Sequence, residues 1–433
     1  MMSISLVFII VIGILFILMA LGSPIFASLG LSGITGIYLI MGMRGLFQLP
    51  SSIFSQLNSF ILVAIPLFIL MGELIFVTGV GRDIFHIFSK WLNNIPGGLA
   101  IATIYSSALF GAMCGVSIAG VAAIGTLAIP EMLNRGYSKP LAAGSVAASG
   151  ALAVLIPPSI SFILYGSLSA VSVAKLFIGG IIPGLVLATM MAIYVLIKVW
   201  RNPKLAPKEF ENVTWKEKIT PLIKLWPAIV LILSVLGTIY TGVCTPTESG
   251  AIGVAGALLI TIINRRLNWE SFKTAVLKAA RISASLLIIL ACAYTFSQFL
   301  NIIRLPEKVA IWATSLQVPG LVVILISMLL LIILGCLIDG ASLIIVTTPI
   351  LLPTVLALGF DPLWYGILVV LNVEIAVITP PVGLNLYTLK SITDRVTLKE
   401  ILIGTAPYIL IDAACLILFM LVPKLALWLP GTM

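Results

Sequence analysis

The stretch TPPVGLNLYT, residues 379–388, places two consecutive prolines and a glycine inside one of the most apolar parts of the chain. Proline has no amide hydrogen and disfavours the helical conformation in the residue before it, so in water such a stretch would form a turn. Here apolar residues surround it over 363–390, a length that can cross a bilayer. The sequence therefore predicts a helix that is broken at membrane depth.

The composition is that of a membrane protein. Of the 433 residues, 61% are hydrophobic and 9% are charged, whereas about 25% of residues are charged in an ordinary soluble domain. No polar stretch is long enough for a soluble catalytic or nucleic-acid-binding domain, so we expect no nucleic-acid partner. We predict an all-α polytopic membrane protein embedded in a lipid bilayer. Its apolar runs lie near 4–21, 24–41, 59–80, 141–165, 176–199, 225–243, 249–263, 283–303, 318–338, 341–358, 363–390 and 401–428.

Basic residues cluster between the apolar runs and account for the net charge of +9. The positive-inside rule predicts that the two densest clusters, at 198–224 and 264–281, are cytoplasmic loops. No positive charge precedes Arg44, so the first apolar run lacks the basic region of a signal peptide and is expected to be retained.

Several kinds of chemistry are not supported by the residues present. The five cysteines have no paired spacing, which predicts neither a disulfide framework nor a metal site. His86 is the only histidine, which excludes an HExxH motif, and the chain has no G-x-x-x-x-G-K-[ST] phosphate loop. We therefore expect no cofactor other than coupling ions, and no ATP-hydrolysing module on this chain.

The chain contains an internal repeat. An offset of 223 residues places Pro157 on Pro380 and Pro158 on Pro381. The same offset, or one changed by a single residue, matches further pairs, which are Pro96 with Pro319, Gly97 with Gly320, Pro130 with Pro353, Gly136 with Gly359, Pro24 with Pro246, Lys175 with Lys399, Gly180 with Gly404 and Pro183 with Pro407. So many matches near one offset indicate a duplication.

The charge pattern predicts that the two halves have inverted orientations. The loop after the second apolar run carries only Arg44, whereas its counterpart is the basic cluster at 264–281. We predict a first membrane repeat at 1–197, a basic cytoplasmic connector at 198–224 and a second repeat at 225–433. Inverted repeats are common in secondary transporters, where ligands bind at broken helices near the midplane.

Each half is predicted to contain a re-entrant hairpin and a broken helix. In the first half the hairpin lies at about 91–130, which has no charge, and the broken helix at about 141–165. In the second half the hairpin lies at about 318–358 and the broken helix at about 363–390. Prolines at membrane depth free backbone carbonyls, which must be satisfied by protein, water or a cation, so the two breaks predict two cation sites.

Alternatives remain for these features. Each proline pair is also compatible with a kink that only serves packing. Gly111 and Gly115 also fit a G-x-x-x-G helix contact. Asp339 lies in LGCLIDGAS, at membrane depth, where a carboxylate is a functional candidate, although a structural hydrogen-bonding role is the alternative. Weaker candidates for proton carriers are Glu73, Glu131, Glu374 and Asp412.

Three stretches resemble the large membrane subunit of tripartite ATP-independent periplasmic (TRAP) transporters, and the resemblance covers essentially the full length. They are FGAMCGVS, IPEMLNRGYSKPLAAGSVAASGALAVLIPPS and ITPPVGLNLYTLK. The resemblance implies a sodium-coupled importer of organic anions in a bacterial or archaeal inner membrane. It implies an elevator, in which a transport domain slides against a scaffold. It also implies two partners, a small membrane subunit and a periplasmic substrate-binding protein.

The resemblance also implies site residues. The first sodium site would use the hairpin tip at Cys114 and Gly115 with carbonyls of Ala153, Ile156 and Pro158. The second would use Gly335 and Asp339 with Ala376, Thr379 and Pro381. The family often has serine where Cys114 stands, and soft sulfur is a poor ligand for a hard cation.

The substrate is expected to be a carboxylate. Helix N-termini can accept a carboxylate, and those predicted here lie beside Ser117, Ser159, Gly383 and Asn385. This chemistry suits C4-dicarboxylates, sialic acids, sugar acids and keto acids alike.

Three other functions fit parts of the sequence. A stand-alone sodium- or proton-coupled anion carrier would need no binding protein. A channel would also use broken helices, but its flux would be passive. An intramembrane enzyme would need a catalytic companion for Asp339, and none is evident.

Overall fold

A computed structural model describes residues 3–207 and 214–433, and within them every regular element is helical. Among these described residues, ten helical segments, some of which join neighbouring helices, are long and apolar enough to cross a membrane, and four shorter apolar helices accompany them. The predicted all-α polytopic membrane fold is confirmed. Residues 208–213 of the predicted connector, including Lys208, lie outside the described residues.

In the described residues of the first half, the chain forms nine α-helices. The second of them bends at Gly42, where the backbone leaves the helical region with φ 62° and ψ −155°. The helices are α1 Ile4–Ala20, α2 Ile25–Leu57, α3 Ala64–Thr78, α4 Val80–Trp91, α5 Gly98–Cys114, α6 Ser117–Asn134, α7 Lys139–Leu155, α8 Ile160–Ser169 and α9 Val173–Arg201.

A short connector helix and the second half follow. These helices are α10 Trp215–Ile219, α11 Trp226–Tyr240, α12 Pro246–Ile263, α13 Trp269–Ile302, α14 Leu305–Ser315, α15 Gly320–Gly335, α16 Gly340–Ala357, α17 Pro362–Ile378, α18 Leu384–Ile392, α19 Leu398–Leu421 and α20 Pro423–Leu427.

The element order of the two halves is similar around the predicted hairpins and breaks. Helices α5 and α6 form a helical hairpin over 98–134, so the pair begins and ends later than the predicted 91–130. Helices α15 and α16 form the other hairpin, over 320–357. Each hairpin is followed by a helix pair with an interruption, α7 and α8 in the first half and α17 and α18 in the second. The inverted orientation and the division into domains stay predictions.

The basic cluster at 264–281 is not a loop along its whole length. Helix α13 begins at Trp269, well before the apolar run predicted at 283–303, and includes Lys273 and Lys278. Asn268 caps this helix by accepting a hydrogen bond from the Ser271 amide, and such a cap stabilises a helix start in polar sequence. The apolar run therefore does not mark where the helix begins.

The helices form an outer and an inner group. In the outer group α2 packs against α1 and α13, and α3 packs against α12 and α13. Outer helices expose apolar side chains, such as Leu233, Leu259 and Ile288, as lipid contact requires. In the inner group α7 contacts α5, α6, α17 and α19, and α17 contacts α15, α16 and α19. Helices α4, α13 and α14 contact the inner group from outside.

The centre of the inner group consists of α7 and α17. Every residue is buried from Leu141 to Leu155 in α7 and from Leu363 to Ile378 in α17. Helix α7 is rich in alanine, glycine and serine, which allows neighbouring backbones to approach closely. At its crossing with α19, a Cβ atom on Gly144 would lie 2.1 Å from the Gly404 carbonyl oxygen. Small side chains thus allow α7 to lie at the centre of the inner group, in close contact with its neighbouring helices.

Candidate functional site

The first break separates α7 from α8. Pro157 and Pro158 have no N–H, so the helix cannot satisfy the carbonyls of Ala153 and Val154. The Ser159 hydroxyl donates to the Val154 carbonyl in place of the missing amide. The peptide bond between the two prolines is cis. Because the entire break is buried, its carbonyls depend on partners inside the protein.

The first hairpin tip packs directly against this break. Gly115 has φ 64°, and a Cβ atom there would lie 2.3 Å from the Pro158 carbonyl oxygen. One turn earlier, a Cβ atom on Gly111 would lie 2.7 Å from the Cα atom of Ala153. The structure therefore brings together four of the five residues predicted for the first sodium site, Cys114, Gly115, Ala153 and Pro158. The fifth, Ile156, is the C-cap of α7 two residues before Pro158, and its side chain, as distinct from the predicted carbonyl, contacts Gly184 of α9.

The thiol of Cys114 is buried at the hairpin tip. Its Sγ atom donates to the Val116 carbonyl oxygen at 3.7 Å. On its other side Cys114 contacts α3, where a Cβ atom on Gly72 would lie 2.8 Å from the Cys114 Cα atom. The backbone of Cys114 thus lies between the inner and outer helix groups.

The second break separates α17 from α18, and Pro380 and Pro381 again remove two amide donors. The Thr379 hydroxyl donates to the Ile375 carbonyl at 2.5 Å, and the Thr379 amide donates to the Ala376 carbonyl at 3.3 Å. The Pro381 carbonyl accepts a hydrogen bond from the Tyr387 hydroxyl at 3.0 Å. The peptide bond between these prolines is also cis.

The second hairpin tip contacts the second break. A Cβ atom on Gly335 would lie 2.6 Å from the Cβ atom of Ala376, and the Val382 amide donates to the Cys336 carbonyl at 3.3 Å. Asp339 is the N-cap of α16, where its carboxylate accepts from the Ser342 amide at 3.1 Å and from the Ser342 hydroxyl at 2.6 Å. Asp339 therefore has the structural role that the sequence left open, and it also lies at the tip.

Two of the predicted substrate residues contact each other across the halves. The Ser117 hydroxyl, at the start of α6, donates to the Asn385 side-chain oxygen, at the start of α18. The Asn385 amide group donates to the Ala147 carbonyl of α7 at 3.0 Å. Ser159 is fully buried and bonded to its own break, and Gly383 is buried beside the Thr379 carbonyl. The first break, the second break and the first hairpin thus form one connected polar centre.

The weaker acidic candidates fall into two kinds. Glu131 pairs with Arg135 at 2.7 Å, and Glu73 faces Lys278 at 3.8 Å, so both have basic neighbours. Glu374 on α17 and Asp412 on α19 are fully buried, and among the described residues their carboxyl oxygens have no hydrogen-bond partner.

A cavity of about 370 Å³ lies beside the first hairpin tip, and sequence reasoning missed it. It is lined by α3, by α6 and by α13, together with Cys114 and Val116. These stretches are far apart in the chain, and no local motif links them. The carbonyls of Val154 and Val377 were also missed, although each precedes a proline by four residues and could have been found by counting.

Comparison with known proteins gives a family match and close relatives. Residues 12–425 match the family described as the tripartite ATP-independent periplasmic transporter, DctM component. The chain is 34% identical over 407 residues to the C4-dicarboxylate TRAP transporter large permease protein DctM of Pseudomonas aeruginosa, covering 93% of this chain and 94% of that protein. It is 33% identical over 423 residues to the isethionate TRAP transporter permease protein DctMQ of Oleidesulfovibrio alaskensis. That alignment covers 95% of this chain but 65% of the longer relative.

A solved structure shares the fold. The YdaH transporter of Alcanivorax borkumensis superposes with a TM-score of 0.63 at 16% sequence identity, covering 91% of this chain and 90% of that one. The apolar helical segments found in the described part of the chain and the family match together make the chain a multi-pass permease of the inner membrane. The chain belongs to the family of DctM components, the large permease subunits of TRAP transporters.

Proposed function

We propose that this subunit imports an organic anion together with sodium ions, and that a periplasmic substrate-binding protein delivers the anion. The anion is a C4-dicarboxylate, a sialic acid or a related carboxylate. One observation carries the proposal: each hairpin tip packs against a proline break, and the Ser117 to Asn385 hydrogen bond joins the two arrangements. Such a centre has oxygen ligands for cations and helix starts for an anion in one place.

Sodium suits the atoms that the breaks offer. Hard cations prefer oxygen ligands, and the breaks present carbonyl and hydroxyl oxygens. The first site would use the backbone of Cys114 and Gly115 with carbonyls of Ala153, Ile156 and Pro158. The second would use Gly335, Asp339, Ala376, Thr379 and Pro381. Backbone ligands at Cys114 would make its thiol unimportant for the ion.

A carboxylate suits the helix starts around the same centre. Ser117 begins α6, Ser159 precedes α8, and Gly383 and Asn385 lie at the start of α18. Backbone N–H groups at a helix start are free to bind an anion, and the helix dipole favours negative charge there. Anion and sodium would thus bind side by side, which supplies the attraction that couples their transport.

The outer and inner helix groups fit a scaffold and a transport domain. The inner group holds both breaks and both hairpin tips, whereas α2, α3, α12 and α13 belong to the outer group, which contacts the inner one through α3 and α13. We infer that the inner group moves as one body against the outer one, as in other rigid-body transitions. Inverted repeats would give the two halves equivalent roles in the outward and inward states.

The partners are a small membrane subunit and the binding protein. The family name describes a tripartite transporter, and the relative named DctMQ is longer than this chain, as a fused small subunit would require. The relatives are named as permeases, which supports a role without catalysis.

The energy source is tested by uptake into proteoliposomes that contain this chain and the small subunit, with the cognate binding protein outside. The melting temperature of the binding protein is first measured with succinate, N-acetylneuraminate, gluconate and pyruvate. The acid that raises this melting temperature most is used for uptake and is called the selected acid. An inward sodium gradient should drive its uptake. Equal uptake with potassium or choline at constant pH and voltage would reject sodium coupling.

Assembly is tested in the same vesicles by omission. Leaving out the small subunit or the binding protein should abolish uptake of the selected acid. Robust sodium-driven uptake by this chain alone would instead establish a stand-alone carrier. Flux that equilibrates without a second gradient would indicate a channel.

A further inference from the structure

The cavity beside the first hairpin tip has the size of a small-molecule site. Its volume is about 370 Å³, within the range of roughly 300–1,000 Å³ that is usual for ligand pockets. It is lined by Gly72, Glu73 and Phe76 of α3 and by Cys114 and Val116 at the tip, and Gly72 packs directly against Cys114. A ligand here would contact both helix groups and would lie next to the backbone proposed for the first sodium site.

The cavity contains one positive charge. Of the described residues that line it, Lys278 is the only base and Glu73 the only acid. Their Nζ and Oε2 atoms are 3.8 Å apart, beyond hydrogen-bonding distance. The Glu73 side chain is 14% exposed and that of Lys278 is 51% exposed, so the acid lies deeper than the base. Lys278 also lies 5.5 Å from the centre of the Phe76 ring.

The loose pair leaves the ammonium group open to a better partner. A carboxylate that approached within hydrogen-bonding distance of Nζ would form a shorter, charge-assisted bond than Glu73 makes. Apolar residues such as Ile69, Ile118 and Ala119 form most of the remaining wall, which suits the carbon skeleton of a small molecule. The site therefore fits a small organic acid whose carboxylate meets Lys278 and whose carbon skeleton contacts the apolar wall.

We infer that Lys278 recognises the carboxylate of the transported organic anion in this cavity, and that Glu73 holds Lys278 in place when the cavity is empty. This inference rests on the proposed function, because it assumes that the cargo is an organic anion. It adds a residue of the outer group to the recognition of the cargo. Anion binding would release Lys278 from Glu73 and would attract a sodium ion toward the neighbouring tip.

The test measures KM and kcat for uptake of the selected acid in the complete reconstituted complex, with an inward sodium gradient. Lys278→Gln should raise KM about tenfold or more with kcat within about threefold, the size expected for losing one charge-assisted bond. Lys278→Arg should keep KM within about threefold of the parent. Lys273→Gln is the matched control, because Lys273 lies on the same helix but outside the cavity, and its KM should equal that of the parent.

Glu73→Gln separates recognition from a purely structural ion pair. Removing the competing carboxylate should lower KM about threefold, opposite in direction to Lys278→Gln. A structural pair predicts instead that both variants lose stability and activity together with KM unchanged, and that result would overturn the inference. If Lys278→Gln does not fold, the Glu73→Gln variant decides alone. A KM for Glu73→Gln that is unchanged or raised relative to the parent also overturns the inference. Sodium-independent uptake by the parent, or no acid selected from the panel, would count against the proposed function instead.

Discussion

The two proline breaks have the same proline pair but different surroundings. Residues 156–159 are buried at every position, whereas Pro380 and Pro381 are exposed. At the first break a serine hydroxyl satisfies the Val154 carbonyl from within. At the second break the hydroxyl of Tyr387, an exposed residue, donates a hydrogen bond to the Pro381 carbonyl. The first break is therefore enclosed by protein on all sides, whereas the prolines of the second break are exposed.

The two hairpin tips differ in charge. Asp339 caps α16 in the second half, whereas the equivalent N-cap of α6 is Val116, which has no side-chain hydrogen bond. The first tip instead relies on Gly115 and on the buried Cys114. A cation at the second tip would thus have a carboxylate on the tip itself, whereas the first tip has neutral oxygens of its own and the nearby Glu73 faces Lys278. Similar backbones therefore support two sites of different electrostatic strength.

The largest effect is expected at the packed first tip. Gly115→Ala should abolish uptake and lower the melting temperature of the complex, because its Cβ atom would meet the Pro158 carbonyl oxygen at 2.3 Å. Gly242→Ala is the matched control, with φ 71° against 64° and no neighbour within 4 Å among the described residues. The control bears only the backbone strain of about 1–2 kcal/mol. Equal melting temperatures and uptake rates for the two variants would contradict close packing at the tip.

The proline pairs test whether the breaks hold ions. Replacing Pro157 and Pro158, or Pro380 and Pro381, by alanine restores the amide donors and lets the helix reclaim the carbonyls. Half-maximal transport should then need about tenfold more sodium or more, since an ion that loses oxygens is left partly desolvated. The first pair should also lower the melting temperature more, because its break is buried. If the sodium titration curves of folded variants coincide with that of the parent, the prolines only kink the helices for packing.

Asp339 tests the difference in charge between the tips. Asp339→Asn keeps an N-cap and removes the charge, so the sodium concentration for half-maximal transport should rise about tenfold with little change in melting temperature. Asp339→Ala should show the same sodium effect and also lose about 1 kcal/mol of stability, because the cap is lost. Asp361→Asn is the control, since Asp361 caps α17 away from both tips. A purely structural role for Asp339 would leave sodium dependence unchanged in all three variants.

The smallest effect is expected for the Thr379 hydroxyl. Thr379→Ala removes one oxygen at the second break and should raise the sodium requirement about threefold, which corresponds to the lower part of the range for the net contribution of one hydrogen bond. Thr347→Ala provides the comparison, because Thr347 makes the same kind of bond to a carbonyl four residues earlier, at 2.7 Å, inside a helix. The two variants are compared by sodium titration of uptake. Identical titrations would remove Thr379 from the proposed site.

Much of the fold followed from local features of the sequence. Apolar run length predicted the membrane helices, and Pro157, Pro158, Pro380 and Pro381 marked both interruptions. Helix boundaries were less accurate where polar sequence continues a helix, as at the start of α13. Hydropathy identifies the segment that can lie in the bilayer, whereas a capped helix can begin in polar sequence outside the bilayer.

The candidate site was predictable only in part. Gly115 and Gly335 could be proposed for hairpin tips because small residues permit close backbone contact. The Ser117 to Asn385 bond joins residues 268 positions apart, and no spacing rule predicts such a contact. The Glu73 and Lys278 cavity was missed for the same reason, since its walls come from separate helices.

The sequence by itself determined that the chain is a membrane protein with two helix breaks, because apolar length and the missing proline N–H act locally whatever surrounds them. Only the tertiary structure decided that Ser117 meets Asn385 across the halves, that one break is buried while the prolines of its counterpart are exposed, and that Lys278 faces a cavity. Those outcomes depend on packing among distant helices. Packing is decided by the whole set of side chains at once, so no single stretch carries the answer.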